Sequence, residues 1–228
     1  MIDSPLPFES AANAGSLRVA FLDLDHTLLA ADSNQLWLDH LLRRGHLQPE
    51  RIAAHERFVD DYGQGRLDFA ALQRFRDEID MALPSAQMAD LRASFEAEAL
   101  LPAVARDAAA LVDRLHADGL LTLVVSATRQ SLVRPVADHL GIAHVIGSDS
   151  QPGLDAHCFG AGKIAHVGHW LSQRGSSLEA LAESRFYSDS HNDLPLLEAV
   201  MHPVAVDPDP QLLQKARERG WPVISLRG

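Results

Sequence analysis

The feature that most constrains this chain is a short apolar run with an acidic end: Arg18-Val19-Ala20-Phe21-Leu22-Asp23-Leu24-Asp25-His26-Thr27-Leu28-Leu29. The run reads as a buried strand. Residues two apart on a strand share a face, so Asp23 and Asp25 would point the same way, about 6.6 Å apart, if the strand continued. Two like charges at the end of a buried strand are costly unless a cation or a reaction needs them. The pair fits a Mg2+ site with one acid as nucleophile and the other as proton carrier. Its competing use is as an Asp-His-Thr helix cap.

From Ser33 to Leu101 the apolar spacing is helical throughout. Leu36, Trp37, Leu41 and Leu42 share one face; Ile52, His55, Phe58, Val59 and Tyr62 share the next. Gly63-Gln64-Gly65 breaks the pattern, a third helix is expected over Asp68 to Met81, and a fourth from Pro84-Ser85. After Pro102 helix and strand alternate. Apolar strands are expected at Leu120–Ser126, His144–Gly147, Arg185–Ser188, Pro203–Val206 and Val223–Leu226, with helices between them. Pro135 must sit early in its helix or kink it. Such alternation predicts an α/β fold with a doubly wound parallel sheet carrying an all-helical insertion. The expected divisions are a loose tail over 1–16, a core formed by 17–32 and 102–228, and a helical domain over 33–101.

With 46% hydrophobic and 22% charged residues, the 228-residue chain can fold around a core. A net charge of −11, with no basic run, argues against a nucleic-acid partner. A single cysteine, Cys158, has no partner for an internal disulfide and reads as a packing residue. Met1 to Gly15 lack a basic start and an apolar core, and no stretch is long enough for a membrane span. A cytoplasmic protein is expected, with no membrane partner; nothing in the sequence sets its oligomeric state.

In a doubly wound sheet, ligands bind beyond the carboxyl ends of the strands. Besides Asp23 and Asp25, two other strand ends carry suitable groups. Ser126 and Thr128 are hydroxyls placed to donate to a phosphate oxygen, or to make a simple turn. Asp189 and Asp193 flank Asn192, where capping accounts for one acid but not readily for both. Lys163, one of only two lysines, follows Gly160-Ala161-Gly162 at a helix start, where the dipole disfavours a cation and an anionic partner would explain it. Four carboxylates on one sheet edge would repel, and Mg2+ relieves that.

Taken in order, Asp23-Leu24-Asp25-His26-Thr27, Ser126, Lys163 and Asp189-Ser190-His191-Asn192-Asp193 resemble the four motifs of the haloacid dehalogenase (HAD) superfamily, and the helical insertion resembles its first type of cap. The likeness is to the phosphoserine-phosphatase-like branch and runs from about Leu17 onward. It implies that Asp23 attacks phosphorus and that Asp25 carries the proton. It also implies Mg2+ held by Asp23, the Asp25 carbonyl and Asp189 with Asp193 in support, and a phosphoryl group bound by Ser126, Thr128, Lys163 and Asn192. A small phosphorylated metabolite is the implied partner. By spacing, Asp32 resembles the cap's amine ligand, and Arg76, or Arg74 in a shifted helix, its carboxylate ligand. Where that branch typically has Gly-Asp-Gly, this chain has Ser188-Asp189-Ser190, and Ala127-Thr128 stand in place of Gly-Gly. Some relatives with the Ser-Asp-Ser-His-Asn-Asp form are similar to histidinol-phosphate phosphatases, so the expected substrate is amino-acid-like, histidinol phosphate or O-phosphoserine.

Other chemistries have less support. His166 and His169 could share a helix face, but no third zinc ligand has suitable spacing. Ile164 follows Lys163 where a P-loop needs Ser or Thr. A non-hydrolytic phospho-acceptor would use the same Asp, Ser and Lys around Mg2+, but has no use for Asp25 or a lid.

Overall fold

The computed structural model describes residues 17–228 apart from 84, 152, 153, 155 and 156. The expected tail over 1–16 and the Pro84 helix start therefore lie outside the described residues. Six strands form one parallel sheet: β1 (Arg18–Leu22), β2 (Leu121–Val125), β3 (His144–Ile146), β4 (Glu183–Ser188), β5 (His202–Val206) and β6 (Val223–Ile224), in the order β3-β2-β1-β4-β5-β6. β1 is central, with Phe21 level with Leu123 on β2 and with Phe186 on β4. The order reverses direction beside β1, which is where such sheets open a crevice.

Side-chain alternation sorts the strands into two cores. Ala20, Leu22, Val124, Tyr187, Val204 and Val206 face one cluster. Val19, Phe21, Leu123, Val125, Phe186 and Ala205 face the other. Burial on both sides is why β1 and β2 read as nearly continuous apolar runs. The helices α5 (Ala108–Ala117) and α6 (Gln130–His139) cover the first face, while α7 (Gly162–Ser172), α8 (Leu194–Ala199) and α9 (Pro210–Arg219) pack toward the second. Pro135 lies in the middle of α6, within the helix rather than early in it.

The helical cap comprises α1 (Ser33–Arg43), α2 (Pro49–Gly63), α3 (Phe69–Ala82) and α4 (Met88–Phe95). Trp37, Leu41, Leu72, Phe75, Leu91 and Phe95 belong to the same buried cluster as Ala20 and Leu22, so cap and sheet share one apolar core. The two segments entering and leaving the cap are tied together, Ala30 N–H donating to Ala103 O at 2.8 Å and Ala105 N–H to Leu28 O at 2.8 Å. On α2 only His55 is buried; Phe58 is half-buried and Val59 is 45% exposed. The apolar α2 stripe thus does two tasks. Part of it packs, and part faces the cleft described next.

Candidate active site

At the end of β1 the chain leaves strand geometry. Asp23 and Asp25 keep extended backbone angles, but His26 has φ 57°, an uncommon left-handed conformation for a non-glycine residue. That turn is held by its neighbours: His26 N–H donates to Ala31 O at 3.2 Å, and Arg227 Nη2 donates to the His26 carbonyl at 3.0 Å. The strand spacing expected for the two acids is therefore broken. Both nevertheless line one cleft of about 750 Å3, together with Ser126, Thr128, Lys163 and Asp189 from the core and Asp32 and Arg76 from the cap side.

Lys163 occupies the centre of the acidic group. Its Nζ donates to Asp23 Oδ1 at 2.7 Å and Asp193 Oδ2 at 2.8 Å, and the side chain is 3% exposed. Gly162, just before it, lets the His157 backbone pack against the helix start, where a Cβ would meet the His157 carbonyl oxygen at 1.8 Å. Burial alone would lower the Lys163 pKa, but Asp193 and Asp23 outweigh it and hold it well above the usual value. A cation at this helix start is thus explained by its two carboxylates. Burial pushes the Asp23 carboxyl up to about 7, with Lys163 opposing and Asp193 and Asp25 adding to the rise.

Asp25 is gripped from both sides. Ser33 N–H, at the start of α1, donates to Oδ1 at 2.7 Å; Thr128 Oγ1, beyond β2, donates to Oδ2 at 2.8 Å. Burial and the charge of Asp32 raise its pKa, against those hydrogen bonds. That shift favours the protonated form, the form from which a carboxyl can give up a proton. The hydroxyl of Thr128 donates to Asp25 and accepts from Asn34 Nδ2 at 2.8 Å, and Thr128 lines the cleft beside Ser126. Ser126 Oγ accepts from Thr128 N–H at 3.1 Å and faces the cleft.

At the end of β4, Thr27 Oγ1 donates to Asp189 Oδ1 at 3.1 Å, tying the first loop to the fourth. Burial, Asp23 and Asp193 all raise the Asp189 pKa well above the ordinary carboxylate range. Ser188 Oγ donates to Asp193 Oδ2 at 2.7 Å. Asn192 does not line the cleft: its Nδ2 donates to the Tyr62 carbonyl at 3.2 Å. Tyr62 Oη in turn donates to Ser190 Oγ at 3.0 Å. Asn192 therefore fastens cap to core in this structure.

On the cap side, Asp32 is the N-cap of α1, accepting from Gln35 N–H at 2.8 Å. Arg76 faces the cleft whereas Arg74 is exposed. Arg76 Nη1 donates to Ala127 O at 3.3 Å, its Nε is buried without a hydrogen-bond partner, and burial pulls its pKa down to about 10. Phe58, Val59, Leu67, Phe69 and Leu72 supply an apolar wall between these charges. Thr27, Asn34 and Tyr62 were not legible as site residues. The first hid inside a motif, and the other two lie on cap helices whose docking onto the core no local pattern reveals.

The donor set fits a hard divalent cation. Asp23, Asp189 and Asp193 are opposed by the single cation Lys163, and Asp193 Oδ1 is buried without a partner. All the available donors are oxygens, as Mg2+ prefers. Among the described residues no three His, Cys, Asp or Glu side chains converge as a ready cage. Mg2+ does not need one, since it usually keeps several waters beside one or two carboxylates. Cys158 stays outside this chemistry, buried with its thiol pushed up to about 12 by burial.

A parallel doubly wound sheet, a helical cap and an Asp, Ser, Lys and Asp set at the strand ends and a helix start define a capped phosphohydrolase with an α/β core. Residues 20–198 match the family of haloacid dehalogenase-like hydrolases, and the chain belongs to that family. It is 35% identical over 219 residues to a histidinol-phosphatase of Neisseria meningitidis, covering 92% of this chain and 99% of that one. Among solved structures, a protein of unknown function from Bordetella pertussis superposes with a TM-score of 0.81 at 34% identity, covering 92% and 99% of the two chains. A phosphoserine phosphatase captured as a phospho-aspartyl intermediate analogue shares the fold, with a TM-score of 0.61 at 15% identity and coverage of 93% and 94%. No helix among the described residues is long and apolar enough to cross a membrane.

Proposed function

We propose that the protein is a Mg2+-dependent phosphatase that hydrolyses histidinol phosphate through an aspartyl-phosphate on Asp23. The observation that carries this reading is the Asp23–Lys163–Asp193 cluster beside a pinned Asp25, in a chain that matches a histidinol-phosphatase over nearly its full length. Mg2+ would be held by Asp23, Asp189 and the Asp25 carbonyl, with Asp193 in support, and supplies positive charge where the phosphoryl oxygens meet the acids.

The protein's own groups divide the remaining work. An Asp23 carboxylate oxygen bonds to phosphorus as the ester P–O bond breaks, and the leaving alkoxide takes the proton held by Asp25. Water then attacks phosphorus, returning a proton to Asp25 as the Asp23–phosphorus bond breaks, and inorganic phosphate departs. Lys163 and Ser126 bind phosphoryl oxygens. This is catalysis by positioning and charge.

Histidinol phosphate carries an ammonium and an imidazole but no carboxylate. Asp32 suits the ammonium, and the wall of Phe58, Phe69 and Leu72 suits the ring. A second reading, O-phosphoserine, is favoured by Arg76, whose buried Nε has no partner and whose charge suits a carboxylate. Comparing kcat/KM for the two esters in the wild type, Asp32→Asn and Arg76→Met decides between them. The expected result is a preference for histidinol phosphate that persists in Arg76→Met, with both esters slowed in Asp32→Asn because each carries an ammonium. A preference for O-phosphoserine that collapses in Arg76→Met would assign the site to the second reading.

A further inference from the structure

Asn34 lies outside the acidic cluster, yet it is 8% exposed and its amide reaches across from the cap to a core hydroxyl. A threonine hydroxyl has one proton and two acceptor lone pairs. At Thr128, Asn34 Nδ2 donates at 2.8 Å and Ser33 Oγ stands at 3.5 Å, and the proton is delivered to Asp25 Oδ2 at 2.8 Å. An amide NH2 can only donate, so while it faces Thr128 the hydroxyl must point its proton away from the cap. The acceptor it meets is Asp25.

The other oxygen of Asp25 is held by Ser33 N–H, on the residue next to Asn34. Consecutive residues at the first turn of α1 therefore fix both ends of one carboxyl group, one directly and one through Thr128. A carboxyl pinned at both oxygens cannot rotate about its Cβ–Cγ bond. We infer that Asn34 is a positioning residue that, through Thr128, orients Asp25 toward the leaving oxygen, so that proton transfer is assembled only when α1 is docked on the core. The inference rests on the phosphatase reading above, in which Asp25 passes its proton to the alkoxide as the ester bond breaks. Ala127-Thr128, standing where the resembled branch has two glycines, supplies the hydroxyl that makes the relay possible.

Leaving-group dependence tests it. An alkoxide needs a proton as it departs, whereas p-nitrophenolate does not, so a misplaced proton carrier slows one and spares the other. The alkyl esters are histidinol phosphate and O-phosphoserine; the aryl ester is p-nitrophenyl phosphate, read as the pre-steady-state burst of p-nitrophenol. General acid catalysis contributes about 10²–10⁴-fold, so losing its orientation should cost about tenfold or more. Asn34→Ala is expected to lose about that much kcat on the better alkyl ester with KM little changed, and to keep its burst rate within about threefold. Asn34→Asp, the same shape with an acceptor in place of the donor, should be at least as slow because it draws the Thr128 proton back to the cap. Thr128→Val should match Asn34→Ala, and Thr128→Ser should restore most of the rate. Equal losses on alkyl and aryl esters, or an Asn34→Asp enzyme close to wild type, would overturn the relay while leaving the phosphatase reading intact. Alkyl-ester turnover that survives Asp25→Asn would instead overturn the reading on which it rests. Thermal unfolding of each variant identifies any that fails to fold, and the Thr128 pair then decides.

Discussion

Lys163 Nζ donates to Asp23 Oδ1 across 2.7 Å, with the lysine side chain 3% and the aspartate side chain 9% exposed. An ion pair so enclosed restrains the proposed nucleophile and offsets part of the charge it would present to an incoming phosphate. Because the same ammonium also serves Asp193, the site keeps a paired lysine even when Asp23 is altered.

That arrangement makes Asp23→Asn a clean test of chemistry. The amide oxygen can still accept from Lys163, and one charge leaves a crowded acidic cluster. Turnover is expected to fall by more than about 10⁴-fold, beyond a typical general acid–base contribution. The thermal midpoint should stay within a few degrees of wild type, checked by differential scanning fluorimetry.

Removing the cation should act on stability instead. Lys163→Met leaves Asp23 and Asp193 facing each other without compensation, and breaking a buried pair in this way costs about 3–5 kcal/mol. Urea unfolding is expected to show a loss of that order, part of it recovered in the double variant Lys163→Met, Asp193→Asn.

His55 gives the cap a dependence on pH. Burial, helped by the nearby Arg76 charge, pulls its pKa from 6.5 down to about 4. The folded state therefore favours the neutral ring, whose Nδ1 pairs with Gln35 Oε1 at 2.9 Å. A depressed histidine pKa contributes stability that is fully present above pH 6.5 and is lost as pH falls through about 4. At 1.36 kcal/mol per pKa unit this is worth roughly 3 kcal/mol. In urea titrations at pH 7 and pH 4.5, His55→Gln is expected to lose less stability on acidification than wild type does. Parallel losses would show that His55 is not the group responsible.

Much of the fold can be read in the chain because its signals are local. Val19–Leu22 and Leu121–Val125 are largely apolar because both faces are buried, and the acids that follow Leu22 and Ser188 mark the sheet edge carrying the site. The order Asp23, Ser126, Lys163, Asp189 was legible for the same reason, each residue sitting at a strand end or a helix start. What remained hidden depends on long-range docking. Thr128 looked like a phosphate donor because nothing near it in sequence reveals Asp25 and Asn34 as its partners. Asn192 looked like a ligand contact, yet its partner is the Tyr62 carbonyl, 130 residues away. Phe58 and Val59 were legible only as part of a helical face, and that they border the cleft was not, since periodicity reports an apolar face and not what covers it.

Metal binding should be visible without turnover. Ligands that bind only the folded state raise its stability by mass action, so millimolar Mg2+ is expected to raise the thermal midpoint and EDTA to reverse the rise. Asp189→Asn should abolish this response while leaving the fold intact. An unchanged response in that variant would move the metal away from Asp189.

The central claim is that phosphate passes through Asp23. The most direct test mixes enzyme, Mg2+ and substrate, quenches in acid within a turnover, and locates the phosphoryl group by peptide mass spectrometry. The account predicts phosphate on the peptide carrying Asp23, absent from Asp23→Asn and from samples prepared with EDTA. Phosphate release by an enzyme that never carries the group on Asp23 would contradict it.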